Sequence, residues 1–291
     1  MTDLRARAIA LYDAFTHEHR DRRTLLKQMA GLAGSVAAAE ALIAGIAASP
    51  AAASISRADD PRLVTRKGSY AIGGGRAMTG YFAAPRRAPG KVGAVMVIHE
   101  NRGLNTHIED VTRRLALEGF FAVAPDLLSD QGGTPADEDK AREMIAAIDT
   151  DAAIGECLST ITRLARLGHG TGKVGTVGFC WGGGMVDRLA VAAGKDLAAA
   201  VAYYGPAPDP AEAAQVQAPM LLHYAGLDTR VDATGKPWVA ALQAAGRTVT
   251  AYTYPGVNHA FNNDTSADRY APEAAKLAWE RTVAFLHRYL D

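Results

Sequence analysis

The segment Gly178-Phe179-Cys180-Trp181-Gly182-Gly183 sets a thiol between glycines. A thiolate attacks carbonyl carbon, and a sharp turn without bulky flanks lets the sulfur stand clear of the backbone. Where such a turn opens a helix, the positive end of the helix dipole favours the thiolate. The free N–H groups of the first turn also suit an oxyanion. Asp228 and His259 follow in chain order. An imidazole to carry the proton and a carboxylate to hold its tautomer complete a nucleophilic triad. Asp232 is a second candidate acid, further along the same loop. Taken singly, each residue has a plainer reading: a buried thiol, an N-capping Asp, a loop His. Their order, each at the end of a strand-like run, favours a site. A second group, His99-Glu100-Asn101-Arg102-Gly103, follows an earlier run. The backbone of Asn101 and that of Trp181 are the candidate oxyanion donors. Glu100 is out of keeping there, because a carboxylate opposes developing negative charge.

These residues need a frame. Residues 92–98 are a continuous apolar run that predicts a strand buried on both faces, residues 120–124 and 174–179 predict two more buried strands, and residues 198–203, 220–224 and 248–254 predict three further strands. Residues 108–117, 137–167 (with a break), 182–193, 237–245 and 272–290 predict the helices between and after them. Residues 69–72 and 77–83 flank Gly73-Gly74-Gly75 and predict a hairpin. Strands alternating with helices imply a mostly parallel sheet with helices on both faces and the hairpin at one edge. The candidate residues then gather at the C-terminal ends of the strands.

Lys+Arg and Asp+Glu are both 31, so no charge surplus points to nucleic acid or an anionic membrane. Two cysteines, Cys157 and Cys180, make neither a disulfide framework nor a four-thiolate metal site, and Cys157 falls mid-helix, where an inert buried thiol is expected. The eight His include no H-x-x-x-H pair on a credible helix, so no metal is predicted. No phosphate-cradling glycine loop follows a strand, and no cofactor is implied.

The first fifty residues read differently. Arg22-Arg23-Thr24-Leu25-Leu26-Lys27 resembles a twin-arginine export motif. An Ala- and Gly-rich stretch follows from residue 29 to 48, and then Pro50 and Ala51 to Ala53, small residues suited to a signal peptidase. Residues 1–53 are therefore expected to be an export signal, read by the twin-arginine machinery and cleaved without leaving a membrane anchor, with a periplasmic destination. On this reading His17 and His19 belong to the signal. The competing reading is a helix pair belonging to the fold, because Leu4, Ala8, Leu11 and Phe15 recur at helical spacing, and a cytoplasmic protein.

Together the motifs resemble the dienelactone hydrolase (carboxymethylenebutenolidase) family of α/β-hydrolases. The likeness rests on residues 99–103 and 178–183, Tyr203-Tyr204-Gly205, Asp228 and His259-Ala260-Phe261, and spans roughly residues 62–291. It implies Cys180, Asp228 and His259 as the triad, with Glu100 taking the thiol proton when substrate binds, and a thioester intermediate. The family's two carboxylate-binding arginines correspond to Asp130 and Asn263 here, and neither replaces a guanidinium. Arg102 and Arg269 are the arginines left to compensate. The expected substrate is a small neutral ester or lactone, in a pocket lined by Tyr204, Phe261 and Arg102. The alternatives are another acyl hydrolase, such as a thioesterase or peptidase-like enzyme, and a non-catalytic ligand-binding protein.

Overall fold

A computed structural model describes residues 2–17, 20–47 and 55–291. Eight strands form one sheet: β1 (Leu63–Gly73), β2 (Arg76–Pro85), β3 (Val92–Ile98), β4 (Phe121–Pro125), β5 (Gly170–Phe179), β6 (Ala199–Tyr203), β7 (Met220–Ala225) and β8 (Val249–Tyr254). Their order is β1-β2-β4-β3-β5-β6-β7-β8. β1 and β2 pair antiparallel, β2 runs antiparallel to β4, and all remaining pairs are parallel. The hairpin turn is made by Gly73, Gly74 and Gly75, all at positive φ. This is the α/β-hydrolase architecture that the sequence predicts.

Helices α4 (Thr106–Leu117) and α9 (Pro272–Leu290) cover one face of the sheet. Helices α6 (Thr150–Ala165), α7 (Trp181–Ala192) and α8 (Thr229–Ala244) cover the other, while α5 (Glu138–Ala146) precedes α6. Alternate residues of β3 divide between two apolar clusters, Val95 and Val97 in one and Met96 and Ile98 in the other, as the pleat requires. The chain runs from β3 outward to β4 and returns to β5 on β3's other side. The β3–β5 edge is thus a switch point, where the two crossovers part and leave a crevice.

Residues 2–47 form three helices, α1 (Thr2–His17), α2 (Arg22–Ala33) and α3 (Val36–Ile46), with an apolar cluster of their own that includes Ile9, Phe15, Leu25 and Met29. The buried face of α1 is Ala8, Ile9, Tyr12 and Phe15, while Leu4 is exposed, so the face lies one position round from the predicted one. Among the described residues no single helix is long and apolar enough to cross a membrane, and α2 and α3 meet at 110°. The predicted cleavage residues Pro50 to Ala53 lie outside the described residues, as does His19.

One core residue carries a measurable consequence. Asp187 on α7 is buried, accepts a 3.3 Å hydrogen bond from Trp238 Nε1, and leaves its Oδ2 without a partner. Burial pushes its carboxyl well above the ordinary value, against the opposing pull of Trp238 and Arg188. The folded state therefore holds a proton that the unfolded state releases above about pH 4, and this contribution to stability is lost as pH rises through the folded value. Asp187→Asn keeps an acceptor for Trp238 and removes the charge. Its melting temperature should exceed the parent's at pH 8, with the gap narrowing toward pH 4. An unchanged gap across that range would refute the assignment.

Candidate active site

The turn after β5 is strained at the residue that matters. Cys180 sits at φ 55°, ψ −118°, outside the regions that side-chain-bearing residues favour. A Cβ on Gly178 would stand 2.1 Å from the Gly182 carbonyl oxygen, and one on Gly182 would stand 2.4 Å from the carbonyl oxygens of Ile98 and His99. Only glycine fits either place. The Cys180 N–H donates to the Tyr203 carbonyl at 3.0 Å, which ties the turn to β6. Trp181 begins α7, so its N–H has no partner within the helix. Its ring stacks on His99, whose own Nε2 accepts from the Leu127 N–H at 3.3 Å.

Asp228 and His259 close on this turn from the ends of β7 and β8. His259 Nδ1 donates to Asp228 Oδ2 at 2.5 Å, while Oδ1 accepts from the Val231 N–H at 3.1 Å and caps α8. The capping and the imidazole-holding readings of this Asp are therefore both met. Burial opposes ionisation of Asp228, yet the charge and hydrogen bond of His259 outweigh it and hold the carboxyl at about 2. For His259, burial pulls the pKa down, but its interactions with the Cys180 sulfur and the Asp228 carboxylate dominate and raise it to about 10. Its Nε2 is buried without a hydrogen-bond partner and lies within 4.8 Å of the Cys180 sulfur. Asp232 takes no part: it pairs with Lys236 at 2.9 Å along α8.

Glu100 reaches the same point from β3. Its Oε2 accepts from Asn263 Nδ2 at 2.8 Å, and its Oε1 is buried with no partner. Glu100, Asn101, Arg102, Cys180, His259 and Arg269 all line one small cavity. Asn263 thus has a task that the sequence does not announce, since it holds Glu100. Asp130 stands away from the site, 3.2 Å from Arg76. Two of the residues predicted to line the pocket do not. Tyr204 and Phe261 are fully buried beneath His259, with ring centroids 4.9 Å and 5.5 Å apart for the Tyr204–His259 and Tyr204–Phe261 pairs. Tyr204, just past the end of β6 at φ 39°, packs against the His259 ring, and Phe261 packs against Tyr204 in turn. Cys157 is fully buried on the opposite face of the sheet, and burial pushes its thiol up to about 12.

The residue that sequence reasoning missed is His17. The end of α1 lies across the crevice and sets His17 Nε2 3.3 Å from the Cys180 sulfur. Arg102 binds the Tyr12 hydroxyl and pairs with Glu138 at 2.8 Å. Arg269 pairs with Asp13 at 3.2 Å, and Asn101 Nδ2 donates to the Thr16 carbonyl at 3.2 Å. The space left beside Cys180 is about 20 Å³, room for one water molecule and no ester. Nothing in the local pattern of residues 2–17 signals this docking, because the contacts lie more than eighty positions away in the chain.

A strained Cys at a strand–helix turn, joined by an Asp–His pair in that order, on a sheet of this topology, defines an α/β-hydrolase. The chain belongs to the dienelactone hydrolase family, whose model matches residues 78–290. It is 31% identical over 258 residues to a protein of Escherichia coli O157:H7 provisionally named a carboxymethylenebutenolidase, covering 84% of this chain and 94% of that one. A provisionally so-named protein of Saccharolobus solfataricus is 32% identical over 234 residues, covering 67% and 89%. Among solved structures, a provisionally assigned dienelactone hydrolase from Klebsiella pneumoniae superposes with a TM-score of 0.71 at 30% identity, over 78% of this chain and 99% of that chain.

Proposed function

We propose that the chain hydrolyses small esters or lactones through Cys180. The observation that carries this is the convergence of the Cys180 sulfur and the Asp228-held imidazole of His259 within 4.8 Å, at a glycine-flanked turn. Glu100, with one carboxylate oxygen unpartnered beside the thiol, receives the thiol proton. The sulfur adds to the carbonyl carbon, and the oxyanion is held by the N–H groups of Asn101 and Trp181. Expulsion of the alkoxide, protonated by His259, leaves a thioester that water cleaves with His259 as base, and the departing sulfur takes its proton back from Glu100.

The substrate has two readings. The resemblance sets Asp130 and Asn263 against the family's two carboxylate-binding arginines, and on that correspondence a neutral ester is favoured. Arg102 and Arg269 line the cavity, which favours a substrate carrying a carboxylate. On the first reading p-nitrophenyl acetate is turned over more efficiently than dienelactone. Steady-state kinetics on the pair decide, since a higher kcat/KM for dienelactone establishes the second reading. Failure to hydrolyse any activated ester would overturn the assignment, and faster cleavage of thioesters or peptides would move it to another acyl hydrolase.

We further propose that the protein is exported and that residues 1–53 are removed. The support is the Arg22-Arg23 motif and the small residues from Pro50 to Ala53. Removal takes away six basic and five acidic residues and keeps the chain near neutral. It also takes α1 off the crevice. N-terminal sequencing of protein from cell fractions tests this, and an intact Met1 on cytosolic protein as the only species would end it.

A further inference from the structure

His17, Cys180 and His259 present three donor atoms to one point, all within 4.8 Å of one another. The two imidazoles are oriented alike. His17 Nδ1 lies 2.8 Å from the Asp13 carbonyl oxygen, which only accepts, so Nδ1 carries the proton and Nε2 offers its lone pair to the sulfur. His259 Nδ1 donates to Asp228, which leaves its buried Nε2 facing the same sulfur. A ring nitrogen pinned by an oxygen acceptor, with the other aimed inward, is the arrangement that metal-ligating histidines adopt. In a tetrahedral zinc site, sulfur at ~2.3 Å and nitrogen at ~2.1 Å stand about 3.6 Å apart. His17 Nε2 and the Cys180 sulfur are at 3.3 Å, and a small inward movement of His259 closes the triangle. The adjoining cavity of about 20 Å³ has room for one water as a fourth ligand, beside the unpartnered Oε1 of Glu100. Of the nearby arginines, Arg102 is paired with Glu138 and Arg269 with Asp13, while Arg230 also bears on His17.

We propose that His17, Cys180 and His259 bind a zinc ion in the full-length chain and that the ion clamps α1 over the thiol. Thiolate and two neutral imidazoles suit this borderline-soft cation. Binding replaces the proton shared between the thiol and His259, and that proton passes to solvent. The site goes beyond the hydrolase reading. It uses two of the same residues but no turnover, and it exists only while residue 17 remains attached.

The test is a zinc titration of the full-length chain, stripped of metal and kept reduced, in competition with a chromogenic chelator. One equivalent should bind, and His17→Ala and His17→Gln should each weaken it by more than ~10-fold, the scale on which loss of even a ligand's hydrogen-bonding partner is felt. Gln keeps the bulk of the side chain, so it guards against a misfolded alanine variant. Cobalt(II) should give a thiolate-to-metal charge-transfer band that Cys180→Ser abolishes. No stoichiometric zinc binding by the parent chain, or undiminished affinity in His17→Gln, would overturn the proposal. Neither readout involves an ester, so its failure is distinct from failure of the hydrolase assignment.

Discussion

Cys180→Ala should lower ester hydrolysis at least ~100-fold with the fold intact, the scale on which a lost nucleophile is felt. The sulfur makes the bond to the acyl carbon, and no neighbouring side chain can take over. His259 and Glu100 move protons, and Ser or Thr is absent from the residues lining the cavity except Thr16 of α1. The substitution keeps the positive φ at the turn, so the elbow itself is retained. Circular dichroism and the melting curve should match the parent's. With α1 removed from the crevice, iodoacetamide should modify Cys180 and spare Cys157, whose thiol is fully buried in the core and pushed up to about 12. A variant that retains most of its rate would remove the Cys-nucleophile mechanism while leaving the fold assignment in place.

The second large effect concerns access. A chain beginning at residue 54 should show a kcat/KM at least ~10-fold above that of the full-length chain on the same small ester. With α1 docked, only the minority of molecules whose crevice is open can bind, and the apparent affinity falls by that fraction. Equal efficiencies would mean that the helix does not gate the site in solution. The shorter chain retains its own core, because the apolar cluster of α1 to α3 is separate from those of the sheet.

The frame of the site was legible because its physics is local. Buried parallel strands appear as apolar runs, and β3, β6 and β7 fall within a residue or two of their predicted bounds. The glycines around Cys180 are needed by backbone contacts that the strand–turn–helix pattern already implies. The start of α8 was not legible. The sequence predicts it from Pro237, whereas it begins at Thr229, because Asp228 caps it and Gly235 allows the Tyr224 ring to lie against it. What α1 covers was also hidden. An amphipathic helix states that it has a buried face, and says nothing about which distant crevice its last turn will meet. The pairing of Asn263 with Glu100 is of the same kind, a contact between residues 163 positions apart.

The join between the three N-terminal helices and the sheet domain mixes ion pairs with neutral hydrogen bonds and ring contacts. Arg5–Asp268, Arg22–Asp139 and Arg269–Asp13 supply the ion pairs, Ser266 Oγ and the Asp268 N–H donate to the Ile46 and Gly45 carbonyls, and the guanidinium groups of Arg142 and Arg269 lie over the Phe15 and Tyr12 rings. Separate apolar clusters therefore meet across a largely polar seam. At 1 M salt the screening length falls to about 3 Å, so concentrated electrolyte should loosen this seam before it disturbs either interior. Ionic strength then becomes a dial on how often the thiol is uncovered, one that requires no substitution at all.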